Sequence, residues 1–213
     1  MTITTFEGLK AAVADWLGRD DLAAQIPLFI RLAEKRMERE LRLRVMERRA
    51  VLDVEAGTRG VSLPCRHVDG DWDVFLEMRD LAWREGDSVR DLRYAPVDDF
   101  QRRCEESGQP AAYTIVGTTL FLLPRPASAG RLHLVYHAEI PPLSEAQPSN
   151  PVLLAAPDAY LYAALAEAVP YTRGSVPAAL WTRHYEAARA RLEAAEQRAR
   201  FSCNLAMRAA RSI

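Results

Sequence analysis

From Trp181 to Ala199 the residues Trp181, Tyr185, Ala188, Leu192, Ala195 and Ala199 recur at spacings of four, three, four, three and four. This is a heptad seam, the period that keeps one side of a helix against another helix over several turns. Leu180 lies beside its start, and half of its positions are alanine. Such a seam suits close helix packing and offers little that could act as a nucleophile or a ligand. The stretch before it, residues 157–170, is rich in Ala, Leu and Tyr and reads as a short buried helix. A turn at Thr172-Arg173-Gly174-Ser175 separates the two. The chain is therefore predicted to end in a helical pair.

The N-terminal region is helical by the same reasoning. Thr5 is placed to cap a first helix with Leu9, Val13, Trp16 and Leu17 on one face, ending near Gly18. Asp20 and Asp21 open the next segment, and Pro27 fits the first turn of a second helix. Ile26, Phe29, Ile30, Ala33, Met37 and Leu41 form its apolar stripe.

Between these helical ends the period changes to that of strands. Residues 50–56 and 61–63 read as strands that pair across Gly57-Thr58-Arg59-Gly60. Residues 74–83, followed by the turn Glu85-Gly86-Asp87-Ser88 and residues 89–94, read as a strand and hairpin. A short helix is expected over residues 97–106. Residues 113–116 and 120–123, joined by Gly117-Thr118, form the clearest hairpin, and residues 131–137 alternate as a further strand. Pro141, Pro142, Pro148 and Pro151, mixed with Ser, Gln and Asn, read as a linker. The predicted fold class is α+β: a helical bundle formed by the N- and C-terminal helices, with an inserted antiparallel strand-rich lobe. The expected divisions are 1–45 for the N-terminal helices, 46–140 for the strand lobe and 141–156 for the linker. The C-terminal helical pair follows at 157–201 and an arm at 202–213.

Composition narrows the function. The chain has 213 residues, 49% of them hydrophobic and 27% charged, with a net charge of -1. It can bury a core, and it lacks the basic excess usual in proteins that live on a polyanion. Lys10 and Lys35 are its only lysines. Cys65, Cys104 and Cys203 have neither metal nor redox spacing and are expected to be free thiols made in a reducing compartment. No signal peptide is visible at the N-terminus, and no apolar run is long enough to span a membrane.

Candidate chemistry is sparse. His133 and His137 share a strand face but lie about 13 Å apart at the rise of an extended chain, too far to hold one ion. Asp69, Asp71 and Asp73 resemble the start of a calcium loop, but Val74 stands where the loop needs Gly and Asp80 where it needs Glu. A solvated acidic loop is the expectation. Cys65 and His67 are close in sequence with no catalytic motif around them. No cofactor, catalytic residue or metal site is expected. The segment 31–49 carries Arg31, Lys35, Arg36, Arg39, Arg42, Arg44, Arg48 and Arg49 among Glu34, Glu38, Glu40 and Glu47. Arg36–Glu40 and Glu38–Arg42 have ion-pair spacing, so a solvated, pair-laced face is expected. The functional alternatives are a subunit interface through Arg31, Lys35, Arg39 and Arg42, or a nucleic-acid-binding helical module using the whole segment. The tail contains Phe201, Leu205, Met207, Arg208 and Arg211, a candidate docking set for a partner's groove.

Several stretches together resemble the head–tail adaptor (connector, head-completion) proteins of tailed bacteriophages. They are Met1-Thr-Ile-Thr-Thr-Phe-Glu-Gly-Leu-Lys10 with Val13-Ala-Asp-Trp-Leu17, and Ile26-Pro-Leu-Phe-Ile-Arg-Leu-Ala-Glu34 with Arg36, Glu40 and Leu41. The hairpin ending in Leu120-Phe-Leu-Leu-Pro-Arg-Pro126 and the C-terminal pair with Pro157, Asp158, Tyr160, Tyr162, Glu167, Tyr171, Trp181 and Tyr185 complete the likeness. The resemblance implies a non-enzymatic virion protein, made in the host cytoplasm and placed at the capsid vertex or neck. Such adaptors form a ring, commonly dodecameric, that joins the portal protein to tail or neck proteins. The ring passes double-stranded DNA without reading its sequence. The resemblance also implies that the segment from Phe201 onward reaches the portal. Near-neutral charge fits a DNA conduit, since tight phosphate binding would hinder ejection.

Overall fold

The computed structural model describes residues 3–68, 71–103, 105–172 and 178–209, with backbone alone at 20, 66–68, 71–72, 178 and 200–209. In chain order the elements begin with α1 (Phe6–Leu17), α2 (Ile26–Glu40), β1 (Glu47–Val54), β2 (Gly60–Ser62), β3 (Cys65–Val68), β4 (Asp71–Glu85), β5 (Ser88–Asp91) and β6 (Arg93–Tyr94). They continue with α3 (Val97–Arg103), β7 (Ser107–Gly108), β8 (Ala112–Val116), β9 (Thr119–Leu123), β10 (Arg125–Pro126) and β11 (Gly130–Ala138). The last are α4 (Pro151–Ala155), α5 (Pro157–Ala168) and α6 (Ala178–Ala209). The fold is α+β and divides into two units, Met1–Met46 with Ile140–Ile213, and Glu47–Glu139.

The helical unit is built around α5. Its sides bury Ala159, Tyr160, Leu161, Ala163, Ala164, Leu165 and Ala168, and α1, α2 and α6 all pack on it. These residues take up most of the helix circumference and must be enclosed in this way, while Asp158 stays exposed on the remaining side. Thr5 caps α1: its Oγ1 accepts the Gly8 N–H at 3.1 Å. Gly18 ends the helix in the left-handed region at φ 58, where a side chain would be strained, and donates to the Ala14 carbonyl at 3.0 Å. Leu9, Val13 and Leu17 are buried as expected, but Trp16 is 47% exposed. On α2 the whole predicted stripe from Ile26 to Leu41 is buried, with Pro27 in the first turn.

The Pro-rich return segment is not a solvated connector. Ile140, Leu143 and Asn150 are buried. Asn150 Oδ1 accepts the Leu153 N–H at 2.8 Å and so caps α4, while its Nδ2 donates to the Pro141 carbonyl and to the Tyr160 hydroxyl. The Phe6 N–H donates to the Pro148 carbonyl at 2.6 Å. Proline composition suggested a linker; burial of Ile140, Leu143 and Asn150 holds the segment within the helical unit instead.

The strand unit holds a five-stranded sheet ordered β1-β11-β4-β3, with β5 also on β4, and a four-stranded sheet ordered β2-β9-β8-β6. β7 and β10 form a short parallel pair. The hairpins β4–β5 and β8–β9 form as expected, and so does the β11 strand. The predicted pairing of residues 50–56 with 61–63 does not form. β1 pairs with β11, from Glu47↔His137 to Val54↔Gly130, and β2 pairs with β9 through Val61↔Leu120. Burial decides this. With β2 on the second sheet, Val54, Leu81, Trp83, Leu132, Leu134 and Tyr136 share one core with Leu63, Leu120 and Leu122, which a local β1–β2 hairpin would not assemble.

Candidate interaction surfaces

The segment 31–49 is not a continuous helix. α2 stops at Glu40, Leu41 is extended, a 3-10 turn covers Arg44–Met46, and β1 begins at Glu47. Its acids are not all solvated either. Glu34 is 0% exposed and Glu38 is buried. Glu34 Oε1 accepts the Leu143 N–H at 2.8 Å and the Tyr160 hydroxyl at 3.3 Å, while Oε2 meets Arg31 at 3.1 Å. Glu38 Oε1 accepts the Ile140 N–H at 3.1 Å, and its other oxygen meets Lys35 at 2.6 Å. Burial pushes the Glu34 carboxyl above its ordinary range, opposed by the Leu143 amide and Arg31. Burial likewise raises the Tyr160 hydroxyl, with Glu34 adding to the effect.

Several of the segment's cations are engaged within the helical unit. Arg36 meets Glu40 at 3.2 Å, as its spacing predicts, and Glu167 at 3.6 Å, and lies 4.5 Å over the Tyr185 ring. Arg42 donates to the Glu38 and Leu41 carbonyls, so the predicted Glu38–Arg42 contact is made through the Glu38 backbone. Arg44 meets Glu196 at 3.1 Å. This use of the cations argues against the whole segment as a nucleic-acid-binding helix. Arg39 differs: it is exposed and makes no ion pair among the described residues. Leu28 and Leu32 are 46% and 41% exposed. With Lys35 and Arg39 they run at spacings of four, three and four along the side of α2 opposite its buried stripe.

The α6 seam is buried only in its first half. Trp181, Tyr185 and Ala188 are buried, Leu192 is partly covered, and Ala195 is exposed; Leu180 beside it is 39% exposed. At its start the seam joins an aromatic cluster. Trp16 of α1 lies 5.9 Å from Tyr162 of α5 and 5.5 Å from Trp181 of α6. Tyr162 stacks on Trp181 at 6.5 Å and on His184 at 5.1 Å. The Trp181 Nε1 is buried without a hydrogen-bond acceptor among the described residues.

The strand unit brings together little of the chemistry considered from sequence. Asp71 and Asp73 lie in β4 rather than in a solvated loop, and Asp73 accepts the Tyr136 hydroxyl; Asp69 lies outside the described residues. His133 and His137 sit in β11 four residues apart, and Glu47 pairs with Arg79 beside His137. Cys65 is exposed and in no disulfide among the described residues, while Cys104 and the side chains of His67 and Cys203 lie outside them. Among the described residues no group of three His, Cys, Asp or Glu could hold a metal ion, and no helix is long and apolar enough to cross a membrane.

The side chains of Phe201, Leu205, Met207 and Arg208, all of Arg211, and Arg173, Gly174 and Ser175 of the predicted turn lie outside the described residues. The α6 backbone continues to Ala209, through most of the expected arm. Sequence reasoning missed the buried carboxylates. Their signal was present: Ile30, Glu34, Glu38 and Leu41 follow one another at four, four and three, along the border of the apolar stripe. A family model described as SU10 adaptor protein matches residues 4–210 of the chain. No curated protein is found to match it.

Proposed function

The chain belongs to the SU10 adaptor protein family, a family of bacteriophage structural adaptors, and on that footing we propose that it joins the portal to the tail at the capsid vertex. It acts as one subunit of a ring, dodecameric by the family resemblance, that extends the DNA channel. The observation that carries this reading is the extent of the match, residues 4–210, which takes in both structural units and the whole of α6. No catalytic step is assigned to it. The portal-facing element is the end of α6 and the residues after it, with Phe201, Leu205, Met207, Arg208 and Arg211 as the docking set. A formal charge of -1 suits a conduit that must release DNA, because affinity for a duplex grows with the number of phosphates neutralised.

Electron microscopy of the chain mixed with the portal protein of its phage tests the reading. A ring seated on the portal is expected, and removal of residues 205–213 is expected to abolish seating while the truncated chain stays folded. A portal left bare by the full chain overturns the ring. Unchanged seating of the truncated chain overturns the docking role of Leu205, Met207, Arg208 and Arg211 alone.

A further inference from the structure

Two surfaces of the helical unit leave large apolar or aromatic side chains open to solvent. The first is the outer side of α2. Leu28 and Leu32 are about as exposed as Trp16, and Lys35 and Arg39 continue the same line. Large apolar side chains grouped on the solvent side of an amphipathic helix mark a contact surface more often than single exposed ones do. The second is the cluster of Trp16, Tyr162, Trp181 and His184, where α1 and α6 meet over α5. Tryptophan and tyrosine grouped at a partly open surface are the side chains that anchor interfaces. The cluster also holds a buried donor, the Trp181 indole N–H, without an acceptor among the described residues.

The charges beside the two surfaces differ. Asp15 adjoins Trp16 on α1, and Asp158 lies one turn before Tyr162 on α5; both are exposed and make no ion pair among the described residues. Arg183, two positions after Trp181, is a cation at the same border. The α2 stripe carries Lys35 and Arg39, and Arg39 makes no ion pair among the described residues. One surface offers leucines followed by a guanidinium. The other offers aromatic faces bordered by two carboxylates and one guanidinium, a rim with a net negative charge that attracts a further guanidinium by charge and through the ring quadrupole. They lie on different helices and do not overlap, so a copy of the chain can use both at once. A contact between two different patches repeats head to tail, and closes into a ring when the rotation between copies allows it.

We infer that neighbouring copies of the chain meet head to tail, the α2 stripe Leu28–Leu32–Lys35–Arg39 of one copy covering the Trp16–Tyr162–Trp181–His184 cluster of the next, with Arg39 set against Asp158. This rests on the ring reading and supplies its lateral contact. The experiment is sedimentation velocity of the full chain over graded concentrations, with circular dichroism to confirm that each variant keeps its helix content. Wild type is expected to associate as concentration rises. Leu32→Asp and Arg39→Asp are each expected to weaken association roughly tenfold or more, as loss of an interface anchor or reversal of a charge pair does. The double variant Arg39→Asp/Asp158→Arg is expected to recover most of the loss, which a merely destabilised fold would not do. A chain that stays monomeric throughout, or variants that associate as wild type does, overturns the pairing and leaves the stripe to another protein. Neither result touches the portal-seating test, so failure of this contact and failure of the ring reading are told apart.

Discussion

Glu34 shows how one residue can hold a fold and oppose it at once. Its carboxylate accepts the buried Leu143 N–H, yet burial raises its affinity for a proton. Replacing it with alanine leaves the amide without an acceptor, and the expected cost is about 1–3 kcal/mol in chemical denaturation. Glu34→Gln keeps a carbonyl for the amide and carries no charge, so it is expected to cost much less at neutral pH. The pH dependence has a definite sign. A carboxyl whose folded-state pKa is raised contributes stability that is full below its unfolded value and is lost as pH rises through the folded value. The stability of wild type relative to Glu34→Gln should therefore fall as pH climbs through that window and level off above it. Paired unfolding curves across mildly acidic pH check this, and a difference that rises with pH contradicts it. Gly130 is a second sensitive position, because a Cβ there would press into the Trp83 ring and the Arg84 carbonyl. Gly130→Ala is expected to destabilise the strand unit by about 1–3 kcal/mol, an overpacking cost read from a shifted denaturation midpoint.

At the scale of elements, the period of α6 showed where its seam lies but not how much of it would be covered. The reason is length. α5 has 12 residues and spans about 18 Å, whereas α6 has 32 and spans about 48 Å. A short partner can bury only part of a long seam, and sequence spacing does not measure the partner. Ala188→Leu is therefore expected to destabilise the chain by about 1–3 kcal/mol, while Ala195→Leu stays within about 0.5 kcal/mol in the same thermal melts. Equal effects at the two positions would show that the second half of the seam is covered after all. Strand existence was legible for the same local reasons: alternation from Arg131 to His137 and the Gly117-Thr118 turn both describe neighbours in sequence. The partners of β1 and β2 were not legible, because burying two sheet faces together is a non-local outcome. The buried state of Glu34 and Glu38 was hidden by their charge, although their spacing on α2 pointed inward. Lys35 and Arg39 were visible as cations, but Leu28 and Leu32 became informative only once their exposure was known.

For the molecule as a whole, the strand unit enters the chain at Glu47 and leaves after Glu139. Glu47 pairs directly with His137, so its two ends are neighbours in one sheet. Residues 47–139 carry their own core. Expressed alone, they are expected to unfold in one cooperative transition with a strand-rich circular dichroism spectrum, whereas a gradual, concentration-independent melt would contradict that autonomy. The neighbouring ends also bear on the order of folding. The amides of Ile140 and Leu143 reach Glu38 and Glu34 across 102 and 109 residues of chain. Closing so long a loop in a disordered chain carries a heavy entropic cost before any contact is gained. Once the strand unit has formed, that loop is already shut to within one strand spacing, and α2 and the return segment are delivered side by side. The insert thus works as a kinetic clasp: the helices of the bundle, although they open and close the sequence, are expected to assemble last.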